Sequence, residues 1–269
     1  MDITKAIQGL DVSNNQGPII DWDKVVSAGK QFVYIKSTDW SFKYNKISID
    51  SMFLKHKQTT AKTSLKRGGY CFAHPSKSAK DQARALIDAC GDMELKPALD
   101  LESMDNQAAS AVLDFAESFV SEAESYGGRG IIVYVGKPFY EQLLLKAGRK
   151  TSILEQRDLW HCQYRQIISD PDICKNWPTW TLFQYRADAF PQYNIPAGRC
   201  NGVSTALDLN AFNGDQAMFD AWVESSKVKP IPNTLDTYKP YETATINGLL
   251  DSMFTADDVV CSKVDRNCY

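Results

Sequence analysis

No apolar run in this chain reaches the length that carries a helix across a bilayer, so no membrane insertion is expected. No basic stretch occurs, and the net charge of -3 is mixed along the sequence. Nucleic acid and anionic lipid are therefore set aside as partners. No CxxC pair occurs among the 7 cysteines, and His56, His74 and His161 lack metal-ligand spacing. No metal site is expected. Internal repeats and low-complexity tracts are missing too. The opening MDITKAIQG has neither the charged start nor the apolar core of a secretory signal. The chain is expected to stay where it is made or to leave by another route.

What is present is ordinary for a globular protein. Hydrophobic content of 43% and charged content of 23%, over 269 residues, suffice for one large domain or two small ones. Cys71 and Cys162 lie in apolar, strand-like runs and are expected to pack. Cys261 and Cys268 would bridge in an oxidising space, which the sequence leaves open.

Three short stretches organise the rest. In KPALDLES, Lys96 to Ser103, strand alternation puts Ala98, Asp100 and Glu102 on one face and Leu99 and Leu101 on the other. Carboxylates two residues apart on one face lie roughly 7 Å apart at Cα, and such a pair suits one member as proton donor and the other as a charged neighbour. The alternative is an exposed edge strand with solvated acids. GLDVSN places Gly9, Asp11 and Ser13 against Leu10 and Val12, and ALDLN places Ala206, Asp208 and Asn210 against Leu207 and Leu209. Three acid-bearing strands of this kind, spread over the whole chain, fit a parallel barrel: helices cover the apolar faces and acids gather at the strand ends.

The remaining pattern agrees. QFVYIKST, YCFAH, GIIVYVG, DLWHCQY and TLFQYR read as further strands, eight in all. Helices are expected near Trp22 to Ala28, over Ser78 to Cys90 with Ser78 as cap and Gly91 as stop, over Asn106 to Tyr126, after Pro138, and over Gly214 to Glu224. Ile47 to Leu65 has mixed helical periodicity, and Gly68-Gly69 read as its break. The fold class is α/β, an irregular TIM-like barrel with helices after its first five strands and loops after the next two. Residues 1–226 form the barrel, and 227–269 read as a Pro-containing linker and a short appendage too small for its own core.

GLDVSNNQGPIIDW, QFVYIKSTDW, GGYCFAH, PALDLES, DLWHCQY, LFQYR and ALDLNAFNG, in this order and spacing, resemble glycoside hydrolase family 25, the Chalaropsis-type lysozymes. The resemblance runs from about Gly9 to Val223 and implies a (β/α)5(β)3 barrel. It implies an N-acetylmuramidase that cuts the β-1,4 bond between N-acetylmuramic acid and N-acetylglucosamine in bacterial peptidoglycan, as a monomer and without a cofactor. It further implies Glu102 as general acid, Asp100 as the neighbour that steers the 2-acetamido group, and Asp11 and Asp208 as the rest of an acidic cleft. Tyr70, Tyr134, Trp160 and Tyr164 are candidates to contact sugar rings, with core packing as the alternative for each; Asp39 and Gln184 join them as candidate substrate-binding residues. Two departures stand out: Cys71 replaces the family's usual His, and Asp39-Trp40 replaces its usual Glu-Gly. A phage endolysin held in the host cytoplasm before release, or a virion-carried lysozyme, fits the start of the chain. A chitinase-like β-N-acetylglucosaminidase is a rival reading, disfavoured because Ala98 occupies the place of a further acid. A non-catalytic glycan-binding or structural barrel is the other, disfavoured because buried acids are costly to keep.

Overall fold

The computed structural model describes residues 3–165 and 168–227. The strands among them are β1 (Ile7–Val12), β2 (Lys30–Ser41), β3 (Lys46–Ile49), β4 (Lys66–Phe72), β5 (Ala98–Asp100), β6 (Ile132–Val135), β7 (Asp158–Cys162), β8 (Leu182–Arg186) and β9 (Asp208–Phe212). The helices are α1 (Trp22–Ser27), α2 (Phe53–Thr60), α3 (Ala79–Cys90), α4 (Ala109–Gly127), α5 (Lys137–Ala147) and α6 (Gln216–Ser225). From β1 through β2, β4, β5, β6 and β7 to β8 the neighbours pair in parallel. β9 runs antiparallel to both β8 and β1 and closes the barrel. Helices follow the first five barrel strands and not the next two, which is the (β/α)5(β)3 arrangement.

Local chemistry sets the helix ends. Ser78 accepts from the Asp81 amide as the cap of α3, and Gly91 ends that helix in a positive-φ conformation. α4 starts later than its periodicity suggests, because Asp105 and Asn106 take φ of 49° and 59° and keep the preceding segment a loop. Its buried face carries Val112, Phe115, Phe119 and Ala123, which pack on the outward side chains of the strands, among them Leu99, Leu101, Val133 and Val135.

The inward face holds a second core of large rings. Phe32, Tyr34, Trp160 and Phe212 fill the barrel together with Ala98, Ile132 and Leu182. Glycine makes room for two of these rings: a Cβ on Gly9 would lie 2.3 Å from the Phe32 ring, and one on Gly68 would lie 2.4 Å from the Tyr34 ring. Gly68 and Gly69 therefore sit inside β4 and do not break a helix before it. Phe219 and Val223 of α6 join this inner core, with Phe219 5.8 Å from Phe32 and 5.2 Å from Phe212. α6 thus plugs the barrel at the end where β9 finishes, opposite the end where Asp11 and Asp100 emerge.

An additional strand, β3, corrects the reading of Ile47 to Leu65 as helical. β2 runs on past the barrel and folds back on β3, pairing Thr38 with Ile49 and Ser41 with Lys46. Four residues of Lys-Ile-Ser-Ile are too few for alternation to stand out, and only Phe53 onward turns helical, burying Phe53, His56 and Thr60. β5 is also shorter than KPALDLES suggests and ends at Asp100. Cys71, Cys90, Cys162 and Cys174 are buried thiols, and Cys261 and Cys268 lie outside the described residues. So does nearly all of the expected linker and appendage.

Candidate active site

Asp11 and Asp208 are directly paired residues on β1 and β9. Asp100 is the last residue of β5, buried, in register with Phe72 on one side and Tyr134 on the other. Pairing to both neighbours continues one step past it: the Leu101 amide donates to Tyr134 O at 3.0 Å, and the Asp100 carbonyl accepts from the Ala73 amide at 3.0 Å. Leu101 is fully buried in the outer apolar layer, so alternation carries Glu102 to the same face as Asp100. Glu102 is half-buried there, just past the strand end.

Tyr70 connects these acids. It sits half-buried on β4, in register with Lys36 and Ala98. Burial pushes its hydroxyl well above the ordinary tyrosine range, and the charges of Asp11, Asp100, Asp208 and Asp50 push in the same direction. The structure thus gathers three of the four sequence-predicted acids, Asp11, Asp100 and Asp208, about Tyr70 at one mouth of the barrel, with Glu102 two residues past the end of β5 and Asp50 as an acid the motifs did not mark. Asp50 accepts the Asn14 amide at 3.2 Å and the Met52 amide at 2.9 Å. Its carboxyl is raised by burial, which those two bonds oppose.

A chain of hydrogen bonds fixes how Asp11 is used. Trp160 Nε1 donates to Asn210 Oδ1 at 2.8 Å. An indole nitrogen is a donor only, so the Asn210 amide has one possible orientation and its Nδ2 donates to Asp11 Oδ2, also at 2.8 Å. Gln184 Nε2 donates to the same oxygen at 2.8 Å. Gln184 Oε1 in turn accepts from Tyr134 OH at 2.8 Å and from Tyr164 OH. Asp11 Oδ2 is therefore an acceptor held by two amides.

These contacts revise the roles of three candidates. Trp160 is 2% exposed, with its ring 4.6 Å from Tyr34 and 5.1 Å from Tyr134. Packing, the alternative for each ring, is its place: it forms the floor under the acids and does not wall the cleft. Tyr134 and Gln184 are buried as well and act through hydrogen bonds. Tyr70 and Tyr164 are the aromatic candidates left with exposed surface, and Tyr164 stacks on Phe190 at 5.4 Å.

Asp39 lies beside this group at the base of the β2–β3 hairpin. Its carboxylate contacts Lys36 and accepts the Trp40 amide at 2.6 Å. His74 Nε2 stands 2.8 Å from Asp39, and His74 Nδ1 stands 3.3 Å from Asp105, three residues after Glu102. Burial works to raise the Asp39 carboxyl, but the bond from His74 and the charge and bond of Lys36 outweigh it and hold it below the ordinary carboxylate range. Sequence reading gave His74 no role; its signal was a histidine just past the end of a barrel strand. Cys71, by contrast, is buried in the outer layer, its thiol pushed up to about 12 by burial, so that departure does not touch the cleft.

A family model described as glycosyl hydrolases family 25 matches residues 10–190. The chain belongs to glycosyl hydrolase family 25. It is therefore a glycosidase, and β9, which lies beyond the matched residues, supplies Asp208 to the family's barrel. This family 25 chain is 26% identical over 226 residues to lysozyme M1 of Streptomyces globisporus, covering 80% of this chain and 70% of the relative. It is 26% identical to the N,O-diacetylmuramidase of Chalaropsis sp, over 75% of this chain and 96% of the relative. Its structure matches a bacterial lysozyme from Streptomyces coelicolor with a TM-score of 0.70 at 26% identity, over 83% of this chain and 100% of the other.

Proposed function

We propose that this chain is an N-acetylmuramidase that hydrolyses the β-1,4 bond between N-acetylmuramic acid and N-acetylglucosamine in bacterial peptidoglycan. The observation that carries the reading is the unequal treatment of the acids. Asp11 is held as an acceptor by Asn210 and Gln184, whereas Glu102 lies half-exposed past the strand end. Glycoside cleavage needs that inequality: one group protonates the leaving oxygen while others stabilise positive charge on the sugar. The two relatives named a lysozyme and an N,O-diacetylmuramidase support the same bond.

In this scheme Glu102 protonates the glycosidic oxygen. Asp100, its neighbour on the same face, holds the 2-acetamido N–H so that the acetamido oxygen attacks the anomeric carbon. Water then opens the cyclic intermediate with Glu102 as base, and configuration is retained. Asp11 and Asp208 supply negative potential to the cationic sugar. Tyr70 and Tyr164 flank the ring. One chain provides every group, so a monomer suffices.

The test is to digest purified peptidoglycan, reduce the new ends with borohydride and identify the reduced sugar by mass spectrometry. Reduced muramic acid ends, lost in a Glu102→Gln variant, are expected. Reduced glucosamine ends would reassign the bond, and no new ends from a folded protein would leave a barrel that only binds.

A further inference from the structure

Glu102 stands just past the end of its strand, and the turn behind it is unusual. The Leu101 amide still pairs with Tyr134 O, but three residues after Glu102 the chain takes two consecutive positive φ angles, 49° at Asp105 and 59° at Asn106. Neither residue is glycine, and a Cβ disfavours that conformation. Backbone of this kind persists where surrounding groups hold it. Some of the holding is local: Ser103 Oγ accepts the Asp105 amide at 3.1 Å, and Gln107 Nε2 donates to the Asp105 carbonyl at 3.2 Å. The rest comes from the loop after β4. Ser76 donates to Asp105 Oδ2 through its amide, at 3.4 Å, and through its hydroxyl, while His74 Nδ1 stands 3.3 Å from Asp105 Oδ1.

His74 is itself fixed from several sides. Gln82 of α3 is fully buried; it accepts the His74 amide and donates to the His74 carbonyl, each at 3.0 Å. His74 Nε2 stands 2.8 Å from Asp39 Oδ1 on β2, and the Asp39 carboxylate also contacts Lys36. Phe42 lies edge-on to the imidazole at 4.9 Å, and Phe72 tilts against it at 5.2 Å. The ring thus ties α3 and β2 to the turn behind Glu102. We propose that His74 is a positioning residue for the proton donor: through Asp105 it sets where Glu102 stands at the barrel mouth. The inference rests on the reading of Glu102 as general acid. A donor must lie within hydrogen-bond reach of the oxygen it protonates, so a small displacement of Glu102 costs rate while the cleft still binds the polymer.

Three variants test it. His74→Phe keeps a ring beside Phe42 and Phe72 and removes both polar links; Asp39 retains Lys36 and the Trp40 amide, and Asp105 retains Ser76. Asp105→Gly cuts the same link from the other end with a residue that takes a φ of 49° freely. Asp105→Asn keeps an acceptor oxygen and a side chain that accepts this conformation. The substrates are peptidoglycan and an aryl glycoside of the same sugar whose phenol leaves without protonation. On peptidoglycan, His74→Phe and Asp105→Gly should each lose kcat roughly ten- to a hundredfold with KM kept. On the aryl glycoside both should form the first product at close to the wild-type rate, and Asp105→Asn should match wild type on both substrates. Equal losses on the two substrates, a loss confined to KM, or no loss would overturn the proposal. If His74→Phe does not fold, the comparison of Asp105→Gly with Asp105→Asn decides it alone. Failure of the muramidase reading would show in wild type, as uncut peptidoglycan, whereas failure of this inference would show only in the variants.

Discussion

Asp11 and Asp208 oppose each other directly across the antiparallel β1–β9 ladder. Like charges at directly opposite positions destabilise a sheet by a few tenths to about 1 kcal/mol. Keeping two acids there is therefore a sacrifice of stability at a site that needs negative potential. Asp208→Asn should raise the midpoint of denaturant unfolding by an amount equivalent to about 0.5 kcal/mol, while lowering kcat/KM at least tenfold. A variant that is both less stable and fully active would contradict this account of the pair.

Asn210 is the hinge of the hydrogen-bond chain. It joins a buried indole donor to a buried carboxylate, so Asn210→Leu strands the indole N–H and leaves Asp11 Oδ2 with one of its two amide donors, Gln184. The expected cost is about 2–4 kcal/mol of stability, with a larger loss in kcat than in KM. Trp160→Phe removes the indole donor and part of a buried ring, but leaves Asn210 able to reach Asp11. It should cost less stability and keep more activity than Asn210→Leu. Urea melts and steady-state kinetics on the two variants decide the order.

Acid sensitivity should come from histidines outside the cleft. His56 and His161 are each buried, and burial lowers each to about 4 from the ordinary 6.5. His161 stacks on Phe183, and its Nδ1 lies 3.3 Å from the Val135 carbonyl. Between the two values the unfolded chain binds protons that the folded chain refuses, so stability is complete above about pH 6.5 and is lost as pH falls toward 4. His161→Phe should flatten roughly half of that loss in a plot of melting temperature against pH. An unchanged slope would rule out His161 as a source.

The α6 plug offers a stability test remote from the chemistry. Phe219 is 1% exposed, between Phe32 and Phe212. Phe219→Ala should cost about 3–5 kcal/mol through the cavity it opens. Below the melting transition, KM should stay unchanged, because α6 lies at the other end of the barrel from Asp100.

The parts of the molecule written in local pattern were legible in the sequence. Alternation in GLDVSN, PALDLES and ALDLN marked three barrel strands and put their acids on the inner face, and Ser78 and Gly91 marked the ends of α3. What depends on closure was not legible. The bond from Trp160 to Asn210 spans 50 residues and exists only because β9 returns antiparallel between β8 and β1. Gly68 and Gly69 look like helix breakers until the Tyr34 ring is seen to fill the space that a side chain at 68 would need. The hairpin escaped because β3 is four residues long and pairs with a strand that runs past its own barrel.

The central claim is that Glu102 is the proton donor, and leaving-group dependence tests it most directly. Glu102→Gln would be assayed on peptidoglycan and on an aryl glycoside of the same sugar whose phenol leaves without protonation. The account predicts a loss of roughly a thousandfold or more on peptidoglycan and near-wild-type formation of the first product from the aryl glycoside. Equal losses on both substrates would contradict it and move the acid role to another carboxylate at this mouth of the barrel.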